Sequence, residues 1–164
     1  MSVYEIEVLP KKGFKDVHGE HVLSEIGGIG IGGVEEVSYS PLYRINGDLT
    51  FNEAEIIARE LLIDKITEKS SVKTIEANCY PSVNSEPRTP HSNISVIEVW
   101  YKKGVTDTVA DSVVKAVKDL GINKNITVKT GHKYRMSGKV SPKTLETAAT
   151  KLLANTLIQE YFIK

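Results

Sequence analysis

Ile6 and Val8 alternate with Glu5 and Glu7, and Ile97, Val99 and Tyr101 alternate with Glu98 and Trp100, a period of two that predicts a strand at each place. Downstream the period changes. Val109, Val113, Ala116, Val117 and Leu120 fall at helical spacing, so an amphipathic helix is expected, with Asp107 capping its first turn and Gly121 stopping it in the left-handed conformation. In the matching place earlier in the chain, His21, Val22, Leu23 and Ile26 predict a weaker helix that runs into glycines. The clearest helical stripe is Ala54, Ile57, Ala58, Leu61 and Leu62, and it is written again at Leu145, Ala148, Ala149, Leu152 and Leu153. Thr50 with Glu53 makes a capping box for the first of these helices, while Ser141 followed by Pro142 starts the second. Between the helices, residues 34–45 and 126–136 are β-rich, and their length suits a long bent strand or a hairpin broken at Ser40-Pro41 and at Thr130-Gly131-His132. Residues 157–163 predict a closing strand, and residues 72–80 a further one.

These patterns are one unit written twice. Setting residues 6–69 against 97–160, a constant offset of 91, gives 18 identities in 64 positions without a gap, where unrelated chains would give roughly 4. The identities include Ile6-Glu7-Val8, Lys11-Lys12-Gly13, Tyr43-Arg44, Leu61-Leu62, Gly30 and Gly47 with their counterparts. A long unit present only twice argues for a tandem pair rather than a solenoid. The expected organisation is a first repeat over residues 1–80, a proline-rich linker over 81–93 and a second repeat over 94–164. Each repeat reads β-α-β(β)-α-β. The expected fold class is α+β: two ferredoxin-like repeats related by a pseudo-two-fold, each an antiparallel sheet with helices on one face. A half of about 70 residues buries only about 60% of its unfolded surface, so each half is expected to lean on its twin. Ile94, Val96 and Trp100, on the strand face opposite Ile97 and Val99, predict a second covered face there, against the other half or a further subunit.

Lysine plus arginine equals aspartate plus glutamate at 21 each, which removes the positive field of a nucleic-acid or anionic-membrane binder. One cysteine, Cys79, cannot close an internal disulfide. With no apolar run of membrane-spanning length and no signal-peptide pattern, a cytoplasmic protein is expected.

Little in the chain has the pattern of a catalytic centre. Gly28, Gly30 and Gly33 spell G-x-G-x-x-G, but the dinucleotide motif joins a strand to a helix N-terminus, and these glycines follow a helix and precede a strand. A helix-ending turn is the expected reading. His18 and His21 have a two-imidazole spacing without a third ligand, so no metal is assigned to them. His91 falls in the linker, and neither His132 nor Cys79 has a sequence-placed partner for nucleophilic chemistry. Tyr43-Arg44 and Tyr134-Arg135 suit an anion-binding arginine on each half, or equally a strand facing a helix or partner. Lys11-Lys12 and Lys102-Lys103 read as solvated pairs in turns. No residue is assigned as catalytic, cofactor-binding or metal-binding.

The segment from Lys151 to Tyr161, Lys-Leu-Leu-Ala-Asn-Thr-Leu-Ile-Gln-Glu-Tyr, resembles the end of the PurS subunit of phosphoribosylformylglycinamidine (FGAM) synthase. Val99 to Asp107 resembles that family's first strand and turn, and Val128 with Lys133-Tyr134 its middle strand. The likeness covers residues 94–164 and passes more weakly to residues 3–69, where Ile63-Asp64-Lys65-Ile66 replaces Ala154-Asn155-Thr156-Leu157. A tandem version is similar to the N-terminal region of fused, large-type synthases, so the chain is expected to be a duplicated subunit or such a region. The resemblance implies a non-catalytic scaffold in de novo purine biosynthesis, bridging a glutaminase (PurQ-type) and an ATP-dependent synthetase (PurL-type) for ammonia transfer. It places ATP and magnesium on the synthetase and the catalytic residues on both partners, and it brings a homodimer as a further expectation. The alternative is a ferredoxin-like regulatory module binding a small ligand between its halves.

Overall fold

A computed structural model describes residues 2–75 and 93–164. Cys79, His91 and most of the expected linker lie outside the described residues, as does the part of the 72–80 strand beyond Ile75. The elements run β1 (Ser2–Pro10), α1 (Val17–Gly28), β2 (Val34–Gly47), α2 (Phe51–Ile57) and β3 (Glu68–Ile75), then β4 (Ile94–Tyr101), α3 (Thr108–Asp119), β5 (Ile126–Gly138), α4 (Pro142–Ala148) and β6 (Gln159–Ile163). The bounds of α3 and α4 are those of α1 and α2 displaced by 91. The strand registers agree too: Ile6 faces Val72 across β1 and β3, and Ile97 faces Ile163 across β4 and β6. The fold is α+β with one antiparallel sheet ordered β3-β1-β2-β5-β4-β6, compatible with two ferredoxin-like repeats.

Neither central segment is a hairpin. Each is a single long strand, and the described chain gathers into two units that β2 and β5 both pass through. The first unit holds residues 2–14, 40–75 and 104–131; the second holds 15–39, 93–103 and 132–164. The strands change units at Ser40 and at His132, the places where the sequence pattern breaks.

The units cut across the repeats. In the first, Val113 and Val117 of α3 share a core with Tyr4 and Ile6 of β1 and with Ala54, Ile57 and Ala58 from α2 and its continuation. In the second, Val22 and Ile26 of α1 pack with Ile97 and Val99 of β4 and with Leu145 and Ala148 of α4. Each sheet portion therefore receives one helix from its own repeat and one from the other. Burying a side chain such as Ile26 or Val117 contributes about 1.5–3 kcal/mol, so the exchanged helices are held by their new cores rather than by local propensity.

The stripe on α3 differs from the expected one. Ala110, Val113 and Val117 are buried, while Val109 and Leu120 are 50% and 38% exposed. Asp107 explains the rotation. Its Oδ1 accepts from the Ala110 amide at 3.0 Å as the expected cap, and its Oδ2 accepts from the Thr130 amide at 2.9 Å and the Thr130 hydroxyl at 2.8 Å, fixing the helix start against β5. Asp16 does the same in the second unit, accepting from Gly19 and Tyr39 amides at 2.8 and 2.6 Å. Replacing Asp107 by Ala removes both the cap and the strand contact, and should lower stability by about 2 kcal/mol. A stability loss, taken from the urea midpoint and slope, below a quarter of that would discard this account.

Gly30 and Gly121 end α1 and α3 at φ +79° and +92°, and Ile31 and Ile122 donate to Ile26 and Val117 carbonyls in the six-residue closing bond. The second helix of each repeat does not stay α-helical. Residues Ala58–Leu62 and Ala149–Leu153 form π-helical turns, the latter closed by the Ala154 amide donating to the Ala149 carbonyl at 2.9 Å. The stripe still buries Ala58, Ala149 and Leu153, while Leu61, Leu62 and Leu152 are half-buried.

Candidate functional site

The segment that follows each π-helical turn is the most elaborately bonded surface feature of the described residues. Asp64 Oδ1 accepts from the amides of Ile66 and Thr67, and Glu68 Oε2 accepts from the Asp64 amide. In the second copy Asn155 Oδ1 accepts from the Leu157 amide, and Gln159 Oε1 accepts from the Asn155 amide. Acid and amide side chains thus make the same turn, because each needs only a carbonyl-type oxygen at these two places. The Asp64 carboxyl is held below its usual range, chiefly by the Thr67 and Ile66 amides. A lysine closes each turn from outside: Lys11 Nζ donates to the Lys65 carbonyl and Lys102 Nζ to the Thr156 carbonyl, both at 2.5 Å. The expected solvated lysine pairs are therefore half structural. Ile66 and Leu157 occupy the equivalent tip and are 76% and 85% exposed, so each turn holds a large apolar side chain in solvent.

The Tyr-Arg pairs divide between the two sheet faces. Tyr43 sits with the first core and Tyr134 within the second, and burial raises both phenols, Tyr134 to about 12. Arg44 faces Glu5 across the strands and donates to Glu5 Oε2 from Nη2 at 2.7 Å and Nε at 2.9 Å, both side chains largely buried. On the first repeat the arginine is committed to a cross-strand ion pair rather than to a bound anion. Arg135 lines a small cleft of about 110 Å³ with Glu36, Ser38, Ile94 and Ser137.

His18 and His21 do not converge. The His18 ring stacks on Tyr39 with centroids 3.8 Å apart, and His21 lies 3.5 Å from Glu25. His132, which sequence placed beside no partner, shares a 2.8 Å hydrogen bond between its Nδ1 and the Tyr39 hydroxyl. Among the described residues no three His, Cys, Asp or Glu side chains are grouped to hold a metal ion. No helix there is long and apolar enough to cross a membrane.

The second covered face of β4 is realised at Trp100, 3% exposed within the chain itself, whereas Ile94 stays 53% exposed. Beside Trp100 lies Glu98, 1% exposed, with Lys164 Nζ 3.2 Å and Lys133 Nζ 3.4 Å from its Oε1. Sequence reasoning recorded Glu98 only as a repeat identity and missed its lysines: Leu42 stands at the position equivalent to Lys133, and Lys164, although matched by Lys73, is 66 residues away from Glu98 in sequence. It also missed the strand contact of Asp16, although the identity of Asp16 with Asp107 was there to be read.

No curated protein matches the chain. Residues 94–164 match the PurS family, described as phosphoribosylformylglycinamidine (FGAM) synthase. That span runs from the first residue of β4 through α3, β5, α4 and β6, and so includes the bonded turn at Asn155. The PurS family is a subunit of FGAM synthase that works with other subunits. Over residues 94–164, less than half of its length, this chain is similar to the PurS family of phosphoribosylformylglycinamidine (FGAM) synthase.

Proposed function

We propose that the whole chain is a tandem PurS-like, non-catalytic component of FGAM synthase, its two repeats standing where a pair of separate PurS subunits would. The observation that carries this reading is the family match over residues 94–164 together with the return of the same helix bounds and strand registers 91 residues earlier. Residues 1–80 and 94–164 are the two repeats in this reading, and 81–93 the linker. The chain bridges a PurL-type synthetase and a PurQ-type glutaminase, so that ammonia released from glutamine reaches the ATP-dependent site without escaping to solvent. ATP and magnesium belong to the synthetase. The exposed, rigidly bonded turns at Ile66 and Leu157 favour this reading, since a rigid loop carrying an apolar side chain loses little entropy when a partner covers it.

The test is association. Mixed with the matching synthetase and glutaminase in the presence of ADP, magnesium and glutamine, the chain should co-elute with both in gel filtration and restore glutamine-dependent FGAM formation. Separate elution of all three, with activity unchanged by the chain, would remove the proposal.

A further inference from the structure

The two repeats share a backbone and most of its supporting hydrogen bonds, and the exposed cations that close the shared turns, Lys11 and Lys102, stand 91 positions apart as counterparts. Four cations on the first repeat lack such a counterpart: Lys15, opposite Thr106, and three that lie together. Arg59, Lys65 and Lys69 correspond to Thr150, Thr156 and Glu160, which occupy the same elements without any positive charge. All three line one open cleft of about 470 Å³ in the first unit, between the π-helical turn, the bonded turn and strand β3. That volume is in the range of small-molecule sites.

The polar groups of the cleft are arranged rather than merely solvated. Glu60 receives Arg59 Nε at 2.8 Å and Lys65 Nζ at 2.5 Å, which orients both cations. The bond from Nε leaves the terminal guanidinium nitrogens as further donors, and Lys65 keeps two of its three N–H groups. The Lys69 side chain makes no hydrogen bond or ion pair with a described residue. Lys11 brings a fourth cation and Glu55 and Glu68 the two carboxylates of the lining, while Ile63 and Val72 supply apolar surface. A forked guanidinium with two flanking ammonium groups matches the several oxygens of a phosphate, and the apolar surface suits a ligand with a hydrophobic or ring-bearing body.

We infer that this first-repeat cleft binds a small phosphate ester or diphosphate, a site that the second repeat lacks. It does not depend on the subunit assignment above, because the isolated chain binds the ligand.

Amide chemical-shift titration of the full chain with sodium pyrophosphate and with adenosine monophosphate tests it, against sodium chloride at equal ionic strength. Saturable shifts are expected at residues 59–72 and not at 150–163. The combined substitution Arg59→Thr, Lys65→Thr and Lys69→Glu, which installs the second repeat's own residues, should weaken binding by about tenfold or more with an unchanged circular dichroism spectrum. Should that variant misfold, the single exposed change Lys69→Glu should still weaken binding severalfold. Shifts reproduced by chloride, equal shifts in both repeats, or equal affinity in the variants would overturn the inference. So would binding of a polyglutamate peptide with no response to either phosphate compound.

Discussion

Replacing Glu98 by Ala is expected to cost the protein about 3–5 kcal/mol, the range for breaking a buried ion pair by removing one partner. Glu98 is 1% exposed and lies within 3.4 Å of two ammonium groups, Lys133 on β5 and Lys164 at the end of the described chain. Burial by itself would raise its carboxyl; the fields of Lys133 and Lys164, with hydrogen bonds from Lys164 and Trp100, outweigh burial and hold it below the ordinary value of 4.5. A group depressed in this way contributes stability that is fully present above the unfolded value and is lost as pH falls through the folded one. Urea midpoints of wild type and Glu98→Ala should therefore differ most near neutrality and converge in acid. Glu98→Gln keeps the shape and removes the charge, so it should show the same convergence. A wild-type advantage that did not shrink at low pH would assign the loss to packing rather than to charge.

Gly138→Ala should cost about 3 kcal/mol or more, for two separable reasons. Its φ of +119° is strained for any residue with a Cβ, and a Cβ there would lie 2.2 Å from the Gly33 carbonyl oxygen and 3.0 Å from the Glu35 amide nitrogen. Both neighbours are backbone, so neither can swing aside. Gly33 meets the reciprocal problem, at φ +89° with the Lys139 carbonyl oxygen 2.4 Å from a built Cβ. This close passage of β5 past the start of β2 explains the last glycine of the G-x-G-x-x-G string, which serves main-chain approach and not a pyrophosphate. Gly104 is the control, because it has φ +87° with nothing within 4 Å. Gly104→Ala should lose only the conformational part, about 1–2 kcal/mol. Equal thermal shifts for Gly104→Ala and Gly138→Ala would show that the contact carries no weight.

These two sites differ in how far the chain announces them. The glycines were visible as a string, and the order of elements already excluded the dinucleotide reading; the reason for Gly33 required residue 138 to be placed beside it. Glu98 was visible only as part of a repeated Ile-Glu-Val. Its lysines lie far away in sequence, Lys133 on β5 where the first repeat has Leu42, and Lys164 just past β6 where the first repeat has Lys73, so no local pattern could point to the cluster. The first-repeat cleft lies between these cases. Its cations are scattered over residues 59–69 as ordinary surface charges, and they gain meaning only when folding puts them around one opening.

By itself the sequence determined the order of elements, the caps at Asp107, Thr50 and Ser141, the glycine stops and the core stripes of α2 and α4, because all of these rest on interactions within a few residues of one another. Tertiary structure alone decided that α1 lies on β4 and α3 on β1, so that each core is built from both repeats. Periodicity tells a helix which face to bury, but the one sheet offers two similar portions that could receive it. It carries no information about which of these two portions will do so, and here the choice was made by long-range packing, through two strands that each run from one unit into the other.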